Sequence, residues 1–110
     1  MEYINIVKEI QKVIKRIDEA MNKLWKLAQD KAESERLYRI ALAQEILRLK
    51  NDKCQATLIP DIARGITADL KFKRDVDEAL YSVTRDSIRA LQQELNAYQT
   101  IIKFQEELEK

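Results

Sequence analysis

Residues 3–28 read YINIVKEIQKVIKRIDEAMNKLWKLA, and the spacing of the apolar side chains in this stretch decides the fold. Tyr3, Val7, Ile10, Ile14, Ile17, Met21, Leu24 and Ala28 follow one another in alternating steps of four and three. That 3.5-residue repeat is what a helix needs to keep one apolar seam against a neighbouring helix. Val7, Ile14, Met21 and Ala28 take one seam position, and Ile10, Ile17 and Leu24 take the other. Lys8, Glu9, Lys12, Lys15, Arg16, Asp18 and Glu19 occupy flanking or outer positions, where their charges stay hydrated. Trp25 and Lys26 fall just off the seam, so a solvent-facing Trp25 is a candidate anchor for a protein partner.

Carried past Ala28, the repeat would place Lys31 and Glu35 on the seam, so residues 29–36 break its phase. Asp30 with Glu33 three residues on matches a capping box that would start a new helix there. No Gly or Pro enforces a break, however, and one continuous or kinked helix over residues 3–50 is the favoured expectation over a pair of helices. The stripe resumes at Leu37, Tyr38, Ala41, Leu42, Ile46 and Leu49. A single helix of that span would be about 70 Å long at 1.5 Å per residue.

The one Pro and the one Gly both lie between Thr57 and Gly65, which places the connection there. Thr57 suits an N-cap, Pro60 a first helical turn, and Gly65 the left-handed position that closes a helix. The loop over residues 52–66 therefore holds one short helix. Thr67 caps a last long helix over residues 68–107, whose apolar side is marked by Leu70, Val76, Leu80, Val83, Leu91, Leu95, Tyr98, Ile102 and Leu108. The expectation is an all-α single domain over residues 1–110: a long antiparallel helical hairpin, coiled-coil-like, with a short helix in the connection. Val7, Ile10, Ile14, Ile17, Met21, Leu24, Leu91, Leu95, Tyr98 and Ile102 are its expected helix-interface residues, and the surplus of apolar surface points to a homo-oligomer.

Composition agrees with this architecture and excludes several functions. The chain has 110 residues, 35% of them charged, with a formal net charge of +1. Near-neutrality gives no support to a uniformly basic nucleic-acid surface. Charges interrupt every apolar run, which excludes a membrane span of roughly 20 residues, and residues following Met1 lack the apolar core of a signal peptide; a cytoplasmic location is expected by default. With no His and a single Cys54, neither the common Ser or Cys catalytic arrangements nor a zinc site nor an internal disulfide is expected. Asp75, Asp77, Glu78, Asp86 and Glu94 share a helix, but their interleaving with Lys71, Lys73, Arg74, Arg85 and Arg89 reads as a solvated ion-paired face. No catalytic residue, metal or cofactor is expected.

One place remains for a ligand. Lys53, Thr57, Arg64, Thr67, Lys71, Lys73 and Arg74 cluster in sequence around two helix N-termini, whose free amides attract anions such as the phosphate of a nucleotide. Against this, Asp52, Asp61, Asp69, Asp75 and Asp77 dilute the positive field, and Leu58, Ile59 and Ile62 would serve simply to plug the end of the bundle.

The runs Ala32–Ala43, Ala56–Gly65 and Lys73–Tyr81 resemble small helical proteins encoded by phages and prophages of Gram-positive bacteria. The resemblance covers the chain from Ala32 to Glu107 and carries no chemical signature of its own. It implies expression in a bacterial host cytoplasm and a non-enzymatic accessory role: binding and blocking a host factor, by protein inhibition or by sequestering a nucleotide signal, as in counter-defence. A nucleic-acid-binding accessory of phage replication or recombination, and a structural self-assembling oligomer, are the competing expectations.

Overall fold

The structure is a computed structural model and describes residues 2–109. It is all-helical, with no strand among the described residues: α1 spans Tyr3–Asn51, α2 Ile59–Ile66 and α3 Ala68–Glu109. α1 is continuous through residues 29–36. That continuity is the favoured expectation, and the alternative of a new helix capped at Asp30 does not occur; Glu33 holds the guanidinium of Arg36 at 2.6 Å. The chain divides into two compact units, Leu27–Tyr81 and the pair Met1–Lys26 with Ser82–Lys110.

In the latter unit the seam lies one column away from the expected one. Ile6 and Val13 are fully buried and Ala20 half-buried, together with Ile10, Ile17 and Leu24. Ile14 and Met21, expected in the interface, are 45% and 44% exposed, and Val7 is half-buried. The physical reason is that the apolar sector of α1 is wider than one seam. Ile6, Val13 and Ala20 flank the Ile10–Ile17–Leu24 column on one side, and Val7, Ile14 and Met21 flank it on the other with the same spacing. Either choice satisfies a 3.5-residue repeat, so spacing alone does not choose between them. α3 contributes Ile88 and Leu91, both buried, with Leu95, Tyr98 and Ile102 half-buried.

In the Leu27–Tyr81 unit, α1 turns through α2 into α3 as an antiparallel hairpin. The turn is made by Lys53, which has φ 58° and is the one non-glycine with positive φ among the described residues. The Lys53 amide donates to the Lys50 carbonyl and the Cys54 amide to the Leu49 carbonyl, at 3.1 and 3.0 Å. These two bonds are the Schellman closure of a helix, and its usual apolar contact is present because Cys54 packs on the cluster of Leu49, Ile59 and Ala63. Gly65, expected in the left-handed position, instead lies inside α2 with ordinary φ. Thr57, expected as the N-cap, is exposed; Leu58 holds that position without a side-chain hydrogen bond, and Pro60 occupies the first turn as expected. α2 then closes the hairpin by burying Ile59 and Ala63 against Leu42, Ile46 and Leu49.

Val13→Ala should lower unfolding free energy in urea by about 2 kcal/mol through the cavity it leaves. Ile14→Ala should change it by under about 0.5 kcal/mol. Lys53→Gly should raise stability by about 1 kcal/mol, seen as a higher thermal midpoint, because glycine carries no penalty in the left-handed region.

Candidate functional site

Within the Leu27–Tyr81 unit the seam changes character. Counting by fours and threes from Ile6 along α1 leads to Lys31, Ser34 and Tyr38, and the equivalent count on α3 leads to Arg74, Asp77 and Tyr81. All six are buried or half-buried. A polar seam is tolerated only if its groups find partners, and these do. Ser34 is buried and its hydroxyl donates to the Lys31 carbonyl at 3.2 Å. The Lys31 ammonium sits 4.7 Å from the centroid of the Tyr81 ring, and the Arg74 guanidinium 4.6 Å from that of Tyr38. Arg74 also reaches Glu35 at 3.4 Å across the hairpin and donates to the Asp75 carboxylate at 3.0 Å. Asp77 is buried and accepts from the Lys73 ammonium on both oxygens, at 3.0 and 2.8 Å.

These contacts shift the acids and the arginine in opposite directions. Hydrogen bonding from Arg39, reinforced by the charges of Arg39 and Arg74, holds Glu35 below the usual carboxylate range. Asp75 is lowered chiefly by the hydrogen bond from Arg74, with Lys71 adding to it. Arg74 is raised in turn, chiefly by its bond to Asp75.

Two grooves border the polar seam. The larger, about 550 Å³, is lined by Lys31, Glu35, Arg74, Glu78 and Tyr81 together with Ala28 and Ala32. The smaller, about 120 Å³, is lined by Ser34, Leu37, Leu70, Lys73 and Asp77 among others. In the smaller groove the Ser34 hydroxyl is taken up by the Lys31 carbonyl. The larger groove offers two cations and two carboxylates whose charges cancel, so it has no net preference for an anion. Among the described residues no group of three or more His, Cys, Asp or Glu is placed to hold a metal, and no helix is long and apolar enough to cross a membrane.

Of the residues expected to bind a ligand, Lys71 and Arg74 meet on the carboxylate of Asp75. Thr67 is buried, and both its hydroxyl and its amide donate to the Ala63 carbonyl, at 2.8 and 3.1 Å. It closes α2, while its own carbonyl accepts the Lys71 amide and starts α3. Lys53 is committed to the turn, and Thr57 lies exposed. Arg64 pairs with Asp61 at 3.8 Å and Lys71 with Asp75 at 3.5 Å. Lys73 and Arg74, adjacent in sequence, line different grooves. The residues that sequence reasoning missed are Lys31, Ser34, Glu35, Tyr38 and Tyr81. Counting the seam from Ile6 instead of Val7 reaches Lys31, Ser34 and Tyr38, whereas Glu35 falls on the Val7 count and Tyr81 on the equivalent count along α3.

No protein-family model, curated protein or solved structure matches this chain.

The Arg74 network has a pH signature. Glu35 and Asp75 bind protons less readily folded than unfolded, so the stability they add is complete above the ordinary carboxylate range of about 4 and is lost as pH falls through it. Arg74→Ala should therefore lower the thermal midpoint at pH 7, with the difference from the unaltered chain shrinking below about pH 3. Arg74→Lys should recover only part of the loss, since an ammonium cannot stack on Tyr38 and bond two carboxylates with one planar fork.

Proposed function

We propose that this chain is a non-enzymatic phage accessory protein that acts by binding a host protein and blocking it, with counter-defence as its setting. The observation that supports this reading is Trp25, which is 72% exposed on α1. It does not stand alone. Ile4, Val7, Gln11, Ile14, Asp18 and Met21 lie on the same flank of α1 in steps of three and four, so the row carries a single charge over its length. Large apolar side chains exposed in a charge-poor row are what the centre of a protein interface is made of, and tryptophan is among the residues most enriched in the side chains that dominate binding energy.

The other expected targets fit less well. A nucleotide or a nucleic acid would have to displace Asp61, Asp75, Asp77 and Glu35 from the cations that hold them. The setting comes from the phage and prophage proteins that the sequence resembles.

The test is capture from a Gram-positive host lysate by the immobilised chain and by Trp25→Ala, followed by an activity assay of the retained protein. The expected result is a retained protein that loses activity on adding the chain, with affinity weakened about thirty-fold or more by Trp25→Ala at unchanged helical circular dichroism. Equal retention by both forms, or Trp25 fluorescence that does not respond to the retained protein, would overturn the proposal.

A further inference from the structure

α3 carries a second row at heptad spacing, most of it exposed. Val76, Val83, Ala90, Ala97 and Phe104 recur every seven residues, and Leu80, Ser87, Glu94, Ile101 and Leu108 stand four residues after each. All are exposed except Glu94, which is half-buried; Val83 is 64% and Phe104 60% exposed. This row runs one residue behind the buried seam of the same helix, about 100° around its axis.

The repeat identifies the kind of partner. A straight helix drifts by about 20° per heptad against a 3.5-residue repeat, so a row kept in register from Val76 to Leu108 fits a long helix lying along it. That row is roughly 50 Å long at 1.5 Å per residue, whereas helices of globular proteins average about 12 residues. A helix of matching length and matching repeat is supplied by a second copy of this chain.

We infer that two copies pair through this face of α3, antiparallel, about a two-fold axis beside Gln92. That axis sets Val76 against Leu108, Leu80 against Phe104 and Val83 against Ile101 of the second copy. Nearer the axis, Ser87 meets Ala97 and Ala90 meets Glu94. Each contact joins one column of the repeat to the other; bulky side chains meet bulky ones toward both ends, and at the centre Ser87, Ala90 and Ala97 are small while Glu94 is the one charged member. The Ala90 opposite leaves the Glu94 carboxylate a path to water. In the adjoining outer column Asp86 comes opposite Thr100, so no like charges face each other there. A parallel pairing would instead stack Glu94 on Glu94. The arrangement is isologous, the commonest symmetry of soluble dimers. It stands apart from the host-protein reading, which concerns the flank of α1 that bears Trp25.

Sedimentation equilibrium of the full chain tests it. The expected result is a dimer whose dissociation constant rises at least about a hundred-fold in Ile101→Glu/Phe104→Glu, because two carboxylates would be buried without partners, and is unchanged in Trp25→Ala. A second measurement covers loss of folding in the double variant. With Cys54→Ala as background, Ser87→Cys/Ala97→Cys should oxidise to a covalent dimer linked between positions 87 and 97. A chain that sediments as a monomer at every concentration, links joining 87 to 87 and 97 to 97, or self-association abolished by Trp25→Ala would each overturn the inference. If α3 fails these tests while Trp25→Ala still loses the host protein, only the dimer is lost.

Discussion

Every residue of α1 and α3 is answerable to one constraint: a helix can bury only what recurs at steps of three and four on one face. From Ile6 to Leu27, and again from Thr84 to Gln105, that face is mainly apolar, and dispersion and water release are enough to hold the pair. Between Lys31 and Tyr38 the same positions are polar. The helix continues there because each polar group is answered locally, Ser34 by a carbonyl one turn back, Lys31 by the face of Tyr81 and Arg74 by Tyr38 and Glu35. An unanswered group at any of these positions would carry the full cost of desolvation.

The polar stretch therefore serves the architecture first. Neighbouring cations and carboxylates neutralise one another in its larger groove, and Asp77 is buried only because Lys73 reaches both of its oxygens. A site that binds an anion needs positive charge left over, and the ion pairs at Arg64, Lys71, Lys73 and Arg74 consume it. What the folded chain leaves unanswered is apolar surface. Two of its rows, one on α1 around Trp25 and one on α3 from Val83 to Leu108, carry few charges, and both readings of function rest on them. The α1 row ends in a bulky aromatic suited to a pocket on another protein, while the α3 row is self-complementary about its own midpoint.

Connections obey the same logic of satisfied groups. The end of α1 is closed by a lysine in the left-handed region, a conformation that costs a side chain about 1–2 kcal/mol, because two backbone bonds and the burial of Cys54 against Leu49 come with it. Gly65, the residue best able to adopt that conformation, is not needed for it and sits in α2. Thr67 shows why a hydroxyl next to a helix start need not cap it: the preceding helix end offers a carbonyl at 2.8 Å.

Residue spacing alone was enough to specify three helices and their approximate ends, since periodicity and breaker residues are local properties of the chain. It also located the columns that form the outer halves of the seams, Ile10, Ile17 and Leu24 on α1 and Leu91, Leu95, Tyr98 and Ile102 on α3. It did not choose between Val13 and Ile14, because two adjacent columns satisfied the same repeat and only packing against α3 separates them. Nor did it place Lys31, Ser34, Tyr38 and Arg74 together, since their pairing depends on the register of one helix against another. Tertiary structure decided both, for a single reason: a one-residue rotation of the seam is invisible to spacing and alters every contact made across it.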